Sequence, residues 1–184
     1  MKLLFAIMIA CLPFTSSASI VSKPESGRSA LQTKPQAPNS DSMKTVRGFS
    51  GRLIVTSDLD WETKWENAKD SLPQFTPAND VFIGSKLAIL TFYSNPGVNK
   101  KNEIKVLCDI KVIRPDGSVS INMQDATCGT GKLQGNPRNI FLSSQVIHYV
   151  GDKKDPPGIW VVEVTLKDRV NGTDIPLKTQ FHLR

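Results

Sequence analysis

The side chains whose types could do chemistry here are His148 and His182, the cysteines Cys108 and Cys128, and the acidic run Asp58, Asp60, Glu62 and Glu66. Zinc or copper takes three or four His, Cys or carboxylate ligands. The two histidines sit on separate alternating stretches and Met43 and Met123 are scattered, so no metal site is expected. The acidic run lacks the fixed oxygen spacing, turn glycine and closing glutamate of an EF-hand loop. Acids at the start of a short helix account for it. There is no Gly-x-Ser-x-Gly elbow and no glycine-rich phosphate loop. The reading is therefore of a chain with no catalytic residue and no cofactor, not an enzyme. Binding is the better motivated function, with Trp61, Trp65 and Tyr93 as the candidate contact residues.

The cysteines carry a different message. Lys2 is followed by an apolar run, Leu3 to Leu12, and then by Ser16-Ser17-Ala18. That order is the pattern of a secretory signal peptide over 1–18, too short for a membrane span. An alternative processing route would use Cys11 as a lipid attachment site. With the signal removed Cys108 and Cys128 remain, and an even count in an exported chain reads as a disulfide. Cys108 shares a face with Ile104, Val106, Ile110 and Val112, and the turn Pro115-Asp116-Gly117-Ser118 would bring Cys128 back towards it. No Cys-x-x-Cys spacing suggests redox work.

The formal charge of +6 is mildly basic. No Lys/Arg run interleaved with aromatics appears, so nucleic acid is not an expected partner. Residues 19–47 are rich in Ser, Pro, Lys and Gln without apolar periodicity, and read as a flexible leader. Its Lys23, Arg28, Lys34, Lys44 and Arg47 would allow weak electrostatic contact with a membrane or a wall polymer. The pairs Lys100-Lys101 and Lys153-Lys154 would place basic loops on the surface.

From residue 48 onward the chain reads as strands. Phe49 to Thr56 is a first strand, and the segment from Asp58 to Asn67 opens with acids and spaces Trp61 and Trp65 four apart, as a short inserted helix would. Asp80 to Ile83 and Lys86 to Ser94 read as strands broken at Gly84, the second apolar on both faces. Something must cover its second face: Trp61 and Trp65 laid over Leu87, Ile89 or Tyr93, or a partner chain. Ile104 to Arg114 alternates strictly, whereas Gln124 to Pro137 has little pattern and reads as a loop held by Cys128. Near the end, Trp160, Val162, Val164 and Leu166 fall on one face, as do Ile175, Leu177, Phe181 and Leu183, with Asn171-Gly172 between the two runs. Period-two alternation around such a pair predicts a hairpin with one apolar face, and a second sheet must cover it.

The approach to the first of those strands, Asp155-Pro156-Pro157-Gly158-Ile159-Trp160, resembles the Pro-x-Gly-x-Tyr/Trp segment of bacterial exported immunoglobulin-like and fibronectin III-like modules. The resemblance covers about the last thirty residues. It implies that Trp160 packs between sheets and that Lys167-Asp168 ends the strand; it assigns no functional residue. The order Cys108, Cys128, Trp160 departs from the Cys…Trp…Cys order of antibody domains.

The expectation is an all-β fold, an immunoglobulin-like antiparallel β-sandwich over 48–184 with a short inserted helix and a disordered N-terminal leader. The expected function is that of an exported binding or accessory module of the cell envelope, acting on another envelope protein or a wall polymer through loops, an edge strand or an aromatic patch. Alternatives are a periplasmic chaperone or protease-inhibitor-like protein, and a hydrolase with an unrecognised site.

Overall fold

The computed structural model describes residues 39–68 and 72–184. The expected signal peptide, Cys11 and most of the expected leader lie outside the described residues. Two mostly antiparallel sheets enclose one core. The first contains β1 (Met43–Val46), β2 (Phe49–Thr56), β4 (Lys86–Ser94), β7 (Ile140–Leu142) and β8 (Ile147–Val150); the last two pair end to end along the same side of β4. The second has the order β3 (Asp80–Val81), β10 (Thr173–Leu183), β9 (Gly158–Asp168), β5 (Glu103–Ile113), β6 (Val119–Lys132).

The β9–β10 hairpin follows from its alternation. Trp160, Val162, Val164 and Leu166 are buried on one face, with Ile175, Leu177, Phe181 and Leu183 beside them. Its turn is organised by Asp168, a buried carboxylate that accepts the backbone N–H of Val170 at 2.9 Å and of Asn171 at 3.3 Å. The same carboxylate accepts the Gly97 N–H at 2.7 Å, which ties the β4–β5 loop to the hairpin. Gly172 supplies the positive φ of the turn, 64°. Pro176 has no N–H to donate and is tolerated because β10 meets β3 only at His182 and Leu183, leaving most of that edge without a strand partner.

Four features differ from the sequence-based expectation. The chain is ordered into strand before residue 48: Met43–Val46 pairs with β2 through a tight turn at Arg47 (φ 50°) and Gly48 (φ 85°). Its polar composition hides a strand that exists because β2 offers it a partner. Asp80–Ile83 is strand for two residues only, and these run parallel to β10. The stretch Gln124 to Pro137, expected as loop, is strand as far as Lys132. Three register shifts along β5–β6 each place one extra residue on β6, which breaks period two and hides the strand from a pattern search. The helix α1 (Trp61–Glu66) forms as expected, but it covers the other face of β4: Trp61 and Trp65 pack with Ala88, Leu90 and Phe92, while Leu87, Ile89 and Tyr93 face the inter-sheet core.

Cys108 and Cys128 form the expected disulfide, with Cα atoms 5.8 Å apart. The extra residue that β6 inserts between Thr127 and Gly129 is Cys128 itself. Next to it, Gly129 allows the ring of Tyr93 to reach across between the sheets: a Cβ at Gly129 would lie 1.9 Å from the Tyr93 hydroxyl oxygen. Gly129→Ala is therefore expected to cost about 1–3 kcal/mol through overpacking. Tyr93→Phe in the same chain removes the closest contact but leaves the ring carbon Cζ 2.8 Å from the added Cβ, so it should return only part of that loss in urea denaturation. A neutral Gly129→Ala would mean that β6 and β4 do not approach this closely.

Candidate functional site

The expected aromatic contact residues do not form one surface. Trp61 is 8% exposed and Tyr93 4% exposed, and they lie on opposite faces of β4. Trp65 is half-buried, its ring 5.3 Å from that of Phe92, which also stacks on Phe75 at 5.9 Å. Tyr93 stacks on Phe141 at 5.5 Å inside the core. The tryptophan segment is thus a structural cover, and no stacking platform of these three residues exists. The two lysine pairs also part company, because Lys100-Lys101 precedes β5 and Lys153-Lys154 precedes β9, which pair antiparallel and so place the loops at opposite ends.

What gathers instead is apolar. The end of the fold where β4 begins and β8 and β10 finish carries the six most exposed large hydrophobic side chains among the described residues: Leu59, Phe82, Ile83, Val119, Val150 and Ile159. Leu59 is 74% exposed and Phe82 61%. Leu59 sits between two aspartates just before α1, and Phe82-Ile83 form the tip of the β3–β4 turn, closed by the Ser85 N–H on the Phe82 carbonyl. That turn is fastened to the end of β8 by bonds from Gly84 N–H to the Gly151 carbonyl and from Gly151 N–H to the Ser85 carbonyl.

Between α1 and the β4–β8 pair lies an open groove of about 280 Å³. Leu59 and Glu62 form one wall, Lys86 and Val150 line the other side, and Trp61 and Ala88 lie behind them. His148 is exposed on the outer face, its ring 6.0 Å from that of Trp61. His182 is far from it on β10, with Nδ1 3.4 Å from Asp80, which Arg184 also binds at 2.6 Å.

Asp58 at the groove margin is committed to structure. Its carboxylate takes Lys64 at 2.8 Å and the Thr76 N–H at 2.8 Å. Burial alone would raise its pKa, but the hydrogen bonds from Lys64 and Thr76 outweigh that and hold it at about 2. Because the folded pKa lies below the unfolded one, the stabilisation is complete above about pH 4 and is lost as pH falls towards 2. Stability measured by urea denaturation should decline over that window, and Asp58→Asn should flatten the decline. An unchanged acid limb in the variant would show that Asp58 is not the group responsible. Tyr149 is the opposite case: burial first, and then its hydrogen bond to Asp155 at 2.7 Å, push its pKa upward, so the phenol stays protonated and donates.

Among the described residues no group of three or more His, Cys, Asp or Glu side chains is placed to hold a metal ion, and no helix is long and apolar enough to cross a membrane. The apolar end is not legible in the sequence, because Phe82 and Ile83 fall in a stretch that reads as strand and Leu59 and Val150 look ordinary singly. The only local signal was two large apolar residues directly before Gly84.

No protein-family model matches the chain, and no curated protein matches it. Among solved structures it is similar to a family 123 glycoside hydrolase from Clostridium perfringens, with TM-score 0.41 and 10% identity over 73% of this chain and 27% of that one. It is also similar to an alkylpurine DNA glycosylase from Pseudomonas fluorescens, with TM-score 0.33 and 17% identity over 59% of this chain and 28% of that one. A third is a Niemann-Pick type C2 protein from the Japanese carpenter ant, with TM-score 0.37 and 8% identity over 72% of this chain and 89% of that one. The chain spans little more than a quarter of the length of the first two.

Proposed function

We propose that this chain is an exported, non-enzymatic binding module of the cell envelope whose contact surface is the apolar end of the fold. The observation that carries the reading is that one end of the fold bears the most exposed apolar side chains among the described residues, two of which, Leu59 and Val150, line an open groove. Monomeric proteins seldom leave such a patch uncovered, and a patch rimmed by polar groups marks a protein contact. The disulfide accords with export, and the two-sheet all-β architecture with the immunoglobulin-like or fibronectin III-like reading of the last thirty residues.

Binding is favoured over hydrolysis because Asp58, the groove's most perturbed acid, is tied to Lys64 and Thr76 rather than free to exchange a proton. It is favoured over strand addition at the long β6 edge because the three register shifts twist that edge and interrupt a continuous ladder. A glycan platform loses support from the burial of Trp61. The partner in this reading is a protein surface; membrane or nucleic acid plays no part in it.

The test is a photo-crosslinking amino acid placed at Leu59, at Val150 and, as a control on the outer face of β10, at Gln180, in cells exporting the protein. Adducts should form from Leu59 and Val150 and not from Gln180. Absence of adducts at both groove positions would overturn the reading.

A further inference from the structure

We propose that the apolar end is a self-complementary interface whose occupant is a second copy of this chain. The inference rests on the reading of that end as a contact surface and names the partner. Two observations favour self-association over a foreign protein. The first is the charge on the groove walls: Glu62 stands on the α1 side and Lys86 on the β4 side, both are exposed, and neither makes an ion pair among the described residues.

A two-fold axis running along the groove sets each wall against the opposite wall of the other copy. Glu62 of one copy then faces Lys86 of the other, and the pair occurs twice. Leu59, projecting from its wall, meets the Val150 side of the other groove, so that the most exposed apolar side chain is covered by the same operation. An interface that matches itself in both charge and apolar content is what isologous pairing requires.

The second observation is the charge elsewhere. The opposite end carries Arg47, Lys100, Lys101, Lys132 and Arg138 against Glu103, with Arg169 and Asp174 paired to each other, so two copies repel when they approach by that end. The end bearing the groove mixes signs, with Asp58, Asp60, Glu62, Asp80, Asp116, Asp152 and Asp155 against Lys64, Lys86, Arg114, Lys153, Lys154 and Arg184. Electrostatics therefore leaves the apolar end open to a like molecule while guarding the other.

The experiment is sedimentation velocity on the purified exported chain from micromolar to near-millimolar concentration, with Leu59→Asp, Glu62→Lys, Lys86→Glu and the Glu62→Lys/Lys86→Glu pair. Each variant is first checked for an unchanged thermal transition; the positions are exposed, so folding should survive. A concentration-dependent dimer is expected, weakened about tenfold or more by Leu59→Asp. Either single charge reversal should weaken it and the double reversal should restore it, because the pair is again complementary.

Monomer at every concentration would overturn the proposal. So would a dimer indifferent to Leu59→Asp, or one the double reversal does not restore. Crosslinking from Leu59 separates the two levels. Monomeric protein together with a Leu59 adduct to a different protein removes the self-association and leaves the contact surface standing, whereas no adduct from either groove position removes both.

Discussion

Trp160→Ala should lower the unfolding free energy by about 3–5 kcal/mol, the usual cost of emptying a large buried aromatic site. Trp160 is 0% exposed, and its surroundings leave little room for collapse. Its ring stacks on Phe181 at 6.0 Å and meets Tyr149 at 5.3 Å, bringing together β9, β10 and β8 from both sheets. The indole N–H donates to the Pro156 carbonyl at 3.1 Å, and the Arg114 guanidinium lies 5.7 Å from the ring centroid. Alanine would leave a cavity at the junction of the sheets and strand that carbonyl and that cation. Trp160→Phe keeps most of the apolar volume and loses the hydrogen bond, so it should fall well short of the alanine loss. Urea denaturation monitored by far-UV circular dichroism, which does not depend on the lost indole, gives both numbers. A loss below about 1 kcal/mol for alanine, the level of a peripheral site, would mean that the ring is not part of the core.

Loss of the Cys108–Cys128 bridge should cost about 2–4 kcal/mol. The cysteines are separated by 20 positions, and closing a loop of that size in the unfolded chain accounts for about 3 kcal/mol in the chain-entropy treatment. Both sulfur-bearing residues are buried among core side chains, and Cys128 is the extra residue at a register shift. The bridge thus holds β6 against β5 where their ladder is irregular. The Cys108→Ala/Cys128→Ala chain, compared with the oxidised parent by urea denaturation, measures the effect. Mass spectrometry of the protein purified without reductant should find no free thiol at either position; two free thiols there would end the claim.

What could be read from the residues was whatever repeats over a few positions. The hairpin of β9 and β10 was legible because Trp160 to Leu166 and Ile175 to Leu183 alternate without interruption around a turn that needs Gly172. The helix carrying Trp61 and Trp65 was legible from its acidic start and spacing. The pairing of Cys108 with Cys128 came from parity of count and a shared core face.

The face of β4 that α1 covers was not legible. Leu87, Ile89 and Tyr93 on one side and Ala88, Leu90 and Phe92 on the other are equally apolar, so composition gives no sign of which meets the second sheet. Nor was β6, whose extra residues shift the alternation three times; such shifts are defined only against the partner strand. β1 likewise is a strand only because β2 lies beside it.

By itself, then, the amino-acid order determined the all-β class, the final hairpin, the inserted helix and the disulfide, because each depends on periodicity or count within one segment. The apolar end was decided by the tertiary structure. Leu59, Phe82, Val150 and Ile159 belong to four different segments of the chain, and each is unremarkable where it stands. They become one apolar end, with Glu62 and Lys86 on facing walls, only after strand pairing brings the starts of β4 and β9 and the ends of β8 and β10 to the same side. Register across a sheet is a long-range property that no local pattern encodes.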